Sequence, residues 1–159
     1  MRTVHITDAK ITGYASYYST QTQTAAAINT AYPVNFDQNP MNDGNIRLVD
    51  GNKFYIDNDG PYNMSFSLQL ESSNNSTQTV DVWVKYNGEN YPWSNTKVNV
   101  IKGPNVAAWN IFGESIAGGY VQLMWSSSST DVSIKQYDAN SIHPAVPSAI
   151  ITFNRLNEV

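Results

Sequence analysis

The chain contains no cysteine, which excludes disulfides, thiolate metal sites and thiol nucleophiles and leaves packing and assembly to hold the fold together. Charge is scarce as well. Asp, Glu, Lys and Arg make up 14% of the 159 residues, against roughly 25% in an ordinary soluble domain. The nine lysines and arginines are dispersed and the net charge is −4, so no basic stripe exists to meet a phosphate backbone and nucleic acid is not an expected partner. No apolar run approaches the roughly 18 residues of a membrane span, and the opening MRTVHITDAKITG lacks the apolar stretch of a secretory leader. Neither membrane insertion nor leader-directed export is expected.

Apolar residues reach 41%, close to the usual share, so a core of ordinary size must be covered by Asn, Ser, Thr, Gln and Tyr instead of charge. The length suits one domain, which at this size hides roughly 68–70% of its unfolded surface. Turn pairs punctuate it at Asp43-Gly44, Asp50-Gly51, Asp59-Gly60 and Asn87-Gly88, where glycine or asparagine takes a positive φ at little cost.

Between the turns the apolar period is two, the signature of strands with one face buried. In GPYNMSFSLQL (60–70), Tyr62, Met64, Phe66, Leu68 and Leu70 share one face. Val80, Val82, Val84 and Tyr86 do so in TVDVWVKY, opposite Asp81, Trp83 and Lys85, and YNGE then closes a hairpin toward Tyr91. Val121, Leu123 and Trp125 oppose Tyr120, Gln122 and Met124; DVSIK (131–135) follows a serine-rich turn; Ala149, Ile151 and Phe153 alternate in SAIITFNRL. The stretch TQTAAAINTAY (22–32) has the only helical composition, but its Thr and Asn, Pro33 after it and the strands around it favour an extended reading. About eight strands at intervals of about ten residues predict an all-β antiparallel sandwich or jelly roll.

Chemistry-bearing groups are thinly spread. His5 lies in an N-terminal arm and His143 directly precedes Pro144, so a two-histidine metal site or a Ser-His-Asp relay would have to be assembled from unrelated segments. Asp57 and Asp59 are candidate ligands for a structural calcium. Gly60, however, would be the fourth position of an EF-hand loop that wants its glycine at the sixth, and an Asx-stabilised turn is the simpler reading. Paired acids for glycoside hydrolysis must stand about 5–9.5 Å apart, and Glu71, Glu89, Glu114 and Glu158 sit beside turn residues with no pattern. No cofactor or catalytic site is expected. The best contact patch is YNGENYPWSN, which places Tyr91 and Trp93 past a hairpin on either side of Pro92; the alternative is that one of them packs into the sandwich or a subunit seam.

Three fragments in order, DGNKFYIDNDGPYNMSFSLQL, VDVWVKYNGE and AGGYVQLMW, closed by PAVPSAIITFNRL, resemble the C1q/TNF-like jelly roll over about residues 14 to 156. Gly51 with Lys53-Phe54, Gly60 with Tyr62, and Gly118-Gly119-Tyr120-Val121 sit where that pattern wants them. TQTAAAINTAYPVNF, VAAWN and HPAVPS are similar to the version in virion proteins of bacteriophages that infect marine bacteria and cyanobacteria. Gly119 stands where the family usually has an acid, and the C1q calcium ligands cannot be aligned residue by residue, so metal binding is not carried over.

The resemblance implies a homotrimer exposed on a virion surface and assembled in the host cytoplasm. With residues 14–159 as the jelly roll, residues 1–13 are expected to be an attachment arm in which Val4, Ile6 and Ile11 could add a strand to the major capsid protein or another virion protein. The length leaves no fibre shaft, so a capsid decoration or head-fibre role is expected first. A tail-fibre-tip module touching host surface glycans through Tyr91 and Trp93 comes second, and a small depolymerase third.

Overall fold

Strict alternation makes residues 60–72 one of the two longest strands, and the rest of the molecule is organised about them. The computed structural model describes residues 13–156. Of the arm, residues 1–12, with Val4, His5, Ile6 and Ile11, lie outside the described residues. Fourteen strands and no helix occur among those described. In chain order they are β1 (Tyr14–Ser19), β2 (Gln23–Thr24), β3 (Tyr32–Pro33), β4 (Gln38–Asn42), β5 (Ile46–Val49), β6 (Lys53–Ile56) and β7 (Gly60–Ser72). There follow β8 (Gln78–Tyr86), β9 (Glu89–Asn90), β10 (Thr96–Val100), β11 (Gly103–Ser115), β12 (Gly119–Ser127), β13 (Val132–Ile134) and β14 (Ala149–Arg155).

Two antiparallel sheets face each other. In the first, β7 pairs along one edge with β13 and then β14, and along the other with β11; β14 leads on to β1 and β4. The second runs β10-β8-β12-β6-β5, with β3 beside β12 and β9 beside β8. The apolar faces expected from the period of two all turn inward. Tyr62, Met64, Phe66, Leu68 and Leu70 of β7, Val80, Val82 and Val84 of β8, Leu123 and Trp125 of β12, and Ala149, Ile151 and Phe153 of β14 are buried in one core. Phe54 of β6 joins the sheets at its centre, its ring 5.1 Å from Tyr17, 5.2 Å from Phe36 and 5.0 Å from Phe153. Burial of such a ring is worth roughly 1.5–3 kcal/mol. Tyr17, buried beside it, keeps its hydroxyl satisfied by donating to the Ile46 carbonyl at 2.7 Å.

Tight turns form at two of the four glycine pairs, whereas Gly60 of Asp59-Gly60 already opens β7. Asp50-Gly51 and Asn87-Gly88 have positive φ at both residues, the mirror-image turn whose twist suits a tight hairpin. Residues 22–32 are neither helix nor a single strand. Gln23–Thr24 pairs with β13 and Tyr32–Pro33 with β12, joined by a turn at which Asn29 has φ 52°. The stretch crosses from one sheet to the other, and the paired edges on either side override the helical preference of its alanines.

Met124 departs from the alternation expected of it. It lies on the outward side of β12 yet is buried, because Pro33 and Trp83 stand level with it on the two flanking strands. At Gly119 a Cβ would come within 2.9 Å of the Ile116 carbonyl oxygen and of the Tyr86 ring. The packing of Tyr86 therefore excludes an acid at this position.

Candidate functional site

Two surfaces stand out, one on each sheet. The first is built on β11, which is hydrogen-bonded to β7 over thirteen residues and has no strand on its other side among the described residues. Its outward side chains continue the outer face of the first sheet, and Val106 and Phe112 there are exposed, the latter by 62%. Trp109 shares the inward parity of Ala107 and Ile111, but sits at the open rim of the sandwich and is 58% exposed. Farther across the same outer face lie Ile150 and Met41, both exposed, with Ser16, Tyr18, Ser65 and Thr152 between. The Pro144–Pro147 segment lies along this face and makes, with Ser16, Tyr18 and Ile150, a groove of about 440 Å³. Glu71 of β7 meets no cation there: the Tyr137 hydroxyl donates to its carboxylate at 2.6 Å. Burial, and after it the Glu71 carboxylate, push the Tyr137 phenol up to about 12. An unpaired edge and a face with little charge and several exposed apolar side chains are the features of a surface that meets another protein.

The second surface lies on the outer face of the second sheet. Asp81 and Trp83 of β8, Asn90 of β9, Ser126 of β12 and the loop Tyr91–Asn95 line a groove of about 360 Å³. Trp83 is fixed in it, since its indole N–H donates to Asn90 Oδ1 at 2.8 Å. The Asp81 carboxylate takes hydrogen bonds from Lys97 Nζ at 2.7 Å and Asn95 Nδ2 at 3.0 Å. Burial raises the Asp81 pKa, but those two donors outweigh it and hold the carboxyl below its ordinary value. Ser94 pins the loop to the strand: its hydroxyl donates to the Tyr91 carbonyl at 2.7 Å and accepts the Val84 amide at 3.1 Å.

The two expected contact residues separate. Tyr91 is half-buried, packs against the core and places its ring where a side chain on Gly113 would otherwise stand. Trp93 projects wholly into solvent. The side chain that accompanies Trp93 on the surface is therefore Trp83 as much as Tyr91. A tryptophan between Asp81 and Lys85 on the water-facing side of an otherwise regular strand was the sequence signal for it.

The remaining candidates do not converge. Asp57 is held by Arg47 in a two-pronged ion pair with bonds of 2.8 and 3.0 Å, whose hydrogen bonds lower its pKa, while Asp59 accepts the Ala117 amide at 2.6 Å. Both carboxylates are thus engaged in different directions. His143 is exposed in a turn, where Asn140 accepts its backbone amide. No group of three or more His, Asp or Glu side chains gathers around a point that could hold a metal among the described residues.

No protein-family model matches the chain, and no curated protein matches its sequence. Solved structures do match its shape. The crystal structure of murine APRIL at pH 5.0 superposes with a TM-score of 0.60 at 10% identity, covering 91% of this chain and 98% of that one. The structure of murine APRIL at pH 8.0 gives 0.60 at 11% identity over the same shares. With two antiparallel sheets closed face to face in this arrangement, the chain has a TNF-like jelly roll, the C1q/TNF-like fold expected from its motifs. At so low an identity the likeness defines the fold alone.

Proposed function

We propose that this jelly roll is a non-enzymatic structural module that assembles with further copies of itself, as a homotrimer, on the outside of a bacteriophage virion. The observation that carries self-assembly is β11: a thirteen-residue strand with one edge unpaired among the described residues, and with Val106, Trp109 and Phe112 exposed beside the sparsely charged outer face of its own sheet. Three-fold closure would bring the open rim of one copy against that face of the next, covering apolar surface and a free edge in one contact. The virion setting is supported by the resemblance of TQTAAAINTAYPVNF, VAAWN and HPAVPS to phage surface modules, and by a surface made of Asn, Ser and Thr in place of charge. A capsid decoration or head-fibre position is the form of this reading we favour, with residues 1–13 as the attachment to the shell.

Sedimentation velocity at micromolar concentration tests the assembly, and a single monomer species would refute it. Gold or antibody label on intact particles tests the position. Removal of residues 1–13 should abolish binding to empty capsids; unchanged affinity would exclude the arm. A second reading, a fibre-tip module that contacts host glycans, is favoured by one observation: Trp93 stands free beside a groove that already holds Trp83.

A further inference from the structure

Nothing within the fold explains why residue 93 is tryptophan. Its backbone lies in the left-handed region at φ 61°, a conformation that suits glycine or asparagine and is an outlier for a bulky side chain. Its side chain is as exposed as in an open peptide, with a relative exposure of 102%, so it adds no packing to offset that strain. Backbone strain persists where the side chain serves a function, and such residues cluster at ligand-contacting sites. The surroundings of Trp93 supply the rest of a site.

We infer that the groove between Trp83 and Trp93 binds a neutral saccharide, the two indoles offering flat apolar surfaces to the C–H face of a pyranose while Asp81, Asn90 and Asn95 take its hydroxyls. The groove holds a small number of directed polar groups beside aromatic walls, and its roughly 360 Å³ falls within the range of small-ligand sites, about 300–1,000 Å³. All of its parts but the Trp93 side chain are fixed before any ligand arrives. Asn90 orients Trp83, Ser94 anchors the loop, and Lys97 with Asn95 orients Asp81, so little ordering is left for binding to pay. A carboxylate can accept about four hydrogen bonds, and two acceptor positions of Asp81 are still free for adjacent hydroxyls. The side-chain amides of Asn90 and Asn95 add both donors and acceptors of the same kind.

Charge decides against the other ligands that stack on indoles. Lys97 neutralises Asp81, which leaves no net charge to draw in a cation, and its own ammonium would repel a quaternary ammonium seated between the rings. A stacked nucleobase would need basic side chains along its phosphates, and the chain is acidic overall with no such stripe. The groove also opens on the second sheet, whereas the assembly proposed above uses the first sheet and β11.

The inference deepens the glycan-contacting reading and is independent of where on a virion the protein sits. The full chain is tested against an array of immobilised neutral hexose and N-acetylhexosamine oligosaccharides, with choline chloride as a separate arm. Any sugar retained is then titrated by tryptophan fluorescence against Trp93→Ala, Trp83→Phe and the parent, each checked for sedimentation and thermal midpoint. The expected result is retention of at least one neutral sugar and a loss of roughly tenfold or more in affinity in Trp93→Ala, with assembly and midpoint unchanged. A smaller loss is expected in Trp83→Phe, which keeps the stacking face but frees Asn90. An array on which nothing binds overturns the inference and the glycan reading together. Sugar binding that survives both substitutions overturns the inference alone, since the contact would lie elsewhere. Choline in place of sugar overturns it, and so does dissociation of the assembly in Trp93→Ala, which would assign Trp93 to the subunit seam.

Discussion

The outer faces of the two sheets are built from the same sparse supply of charge in opposite ways. The second sheet carries all three ion pairs found among the described residues, Arg47 with Asp57, Lys53 with Asp50 and Lys97 with Asp81. Its tyrosines pack together as well, the tilted rings of Tyr55 and Tyr120 lying 5.2 Å apart. The first sheet has no ion pair on its outer face among the described residues; it offers Val106, Phe112, Ile150 and Met41 among serines and threonines, and covers its one acid in β7, Glu71, with a phenol. Exposed ion pairs contribute little stability, about 0–1 kcal/mol each, but they keep a surface wet. A face without them has less to lose on desolvation, so it is the face suited to being covered. Composition alone hides this contrast, because a low average of charge is the sum of one ordinary face and one nearly empty one.

The comparison breaks most severely where the two sheets touch. Phe54→Ala should cost about 3–5 kcal/mol, read by urea denaturation, because Phe54 is fully buried and joins Tyr17 and Phe153 of one sheet to Phe36 and its own strand. A cost below about 1 kcal/mol would mean that the sheets are held together elsewhere. Next in size is a charge placed on either outer face. Phe112→Asp on the first sheet should convert the assembly to folded monomer in sedimentation with an unchanged circular dichroism spectrum, while Asn99→Asp, exposed on β10 of the second sheet, should leave the assembly intact.

A smaller effect concerns alkaline pH. The folded Tyr137 phenol titrates at about 12, above its ordinary value of 10.0, so the folded state retains a proton that the unfolded chain gives up. Its contribution to stability is complete below pH 10 and is lost as pH rises toward 12. The thermal midpoint should fall across that window, and fall less steeply in Tyr137→Phe; equal slopes would show that other tyrosines dominate. The smallest effect has the opposite sign to most substitutions. Trp93→Gly should leave stability unchanged or raise it by up to about 1 kcal/mol, since glycine accepts the left-handed backbone freely. A clear loss would show that Trp93 packs against something after all.

How much could be read before the structure differs strand by strand, for one reason. Where one face is buried and the other wet, as in Tyr62–Leu70, Val80–Val84 and Ala149–Phe153, the period of two identifies both the strand and its orientation. β11 gives no such contrast. Val106, Ala108 and Phe112 face outward while Ala107, Trp109 and Ile111 face inward, so apolar residues occupy both sides and the alternation vanishes at the strand that matters most for assembly. The short crossing at residues 22–32 was illegible for another reason: two-residue strands are made by the neighbours they pair with, and local propensity says little about them. At the groove, Trp93 and its hairpin were visible in the sequence, but the choice between Tyr91 and Trp83 as its companion depended on Gly113 making room for the Tyr91 ring.

By itself the sequence determined that this chain is all-β and which side chains of its regularly alternating strands fill the core, because burial on one face of a strand writes itself into every second residue. Only the tertiary structure decided which strand edge stays open, which face is left without charge and which tryptophans share a groove. Those are relations between strands far apart in the chain, set by how the two sheets close, and no local pattern of residues encodes them.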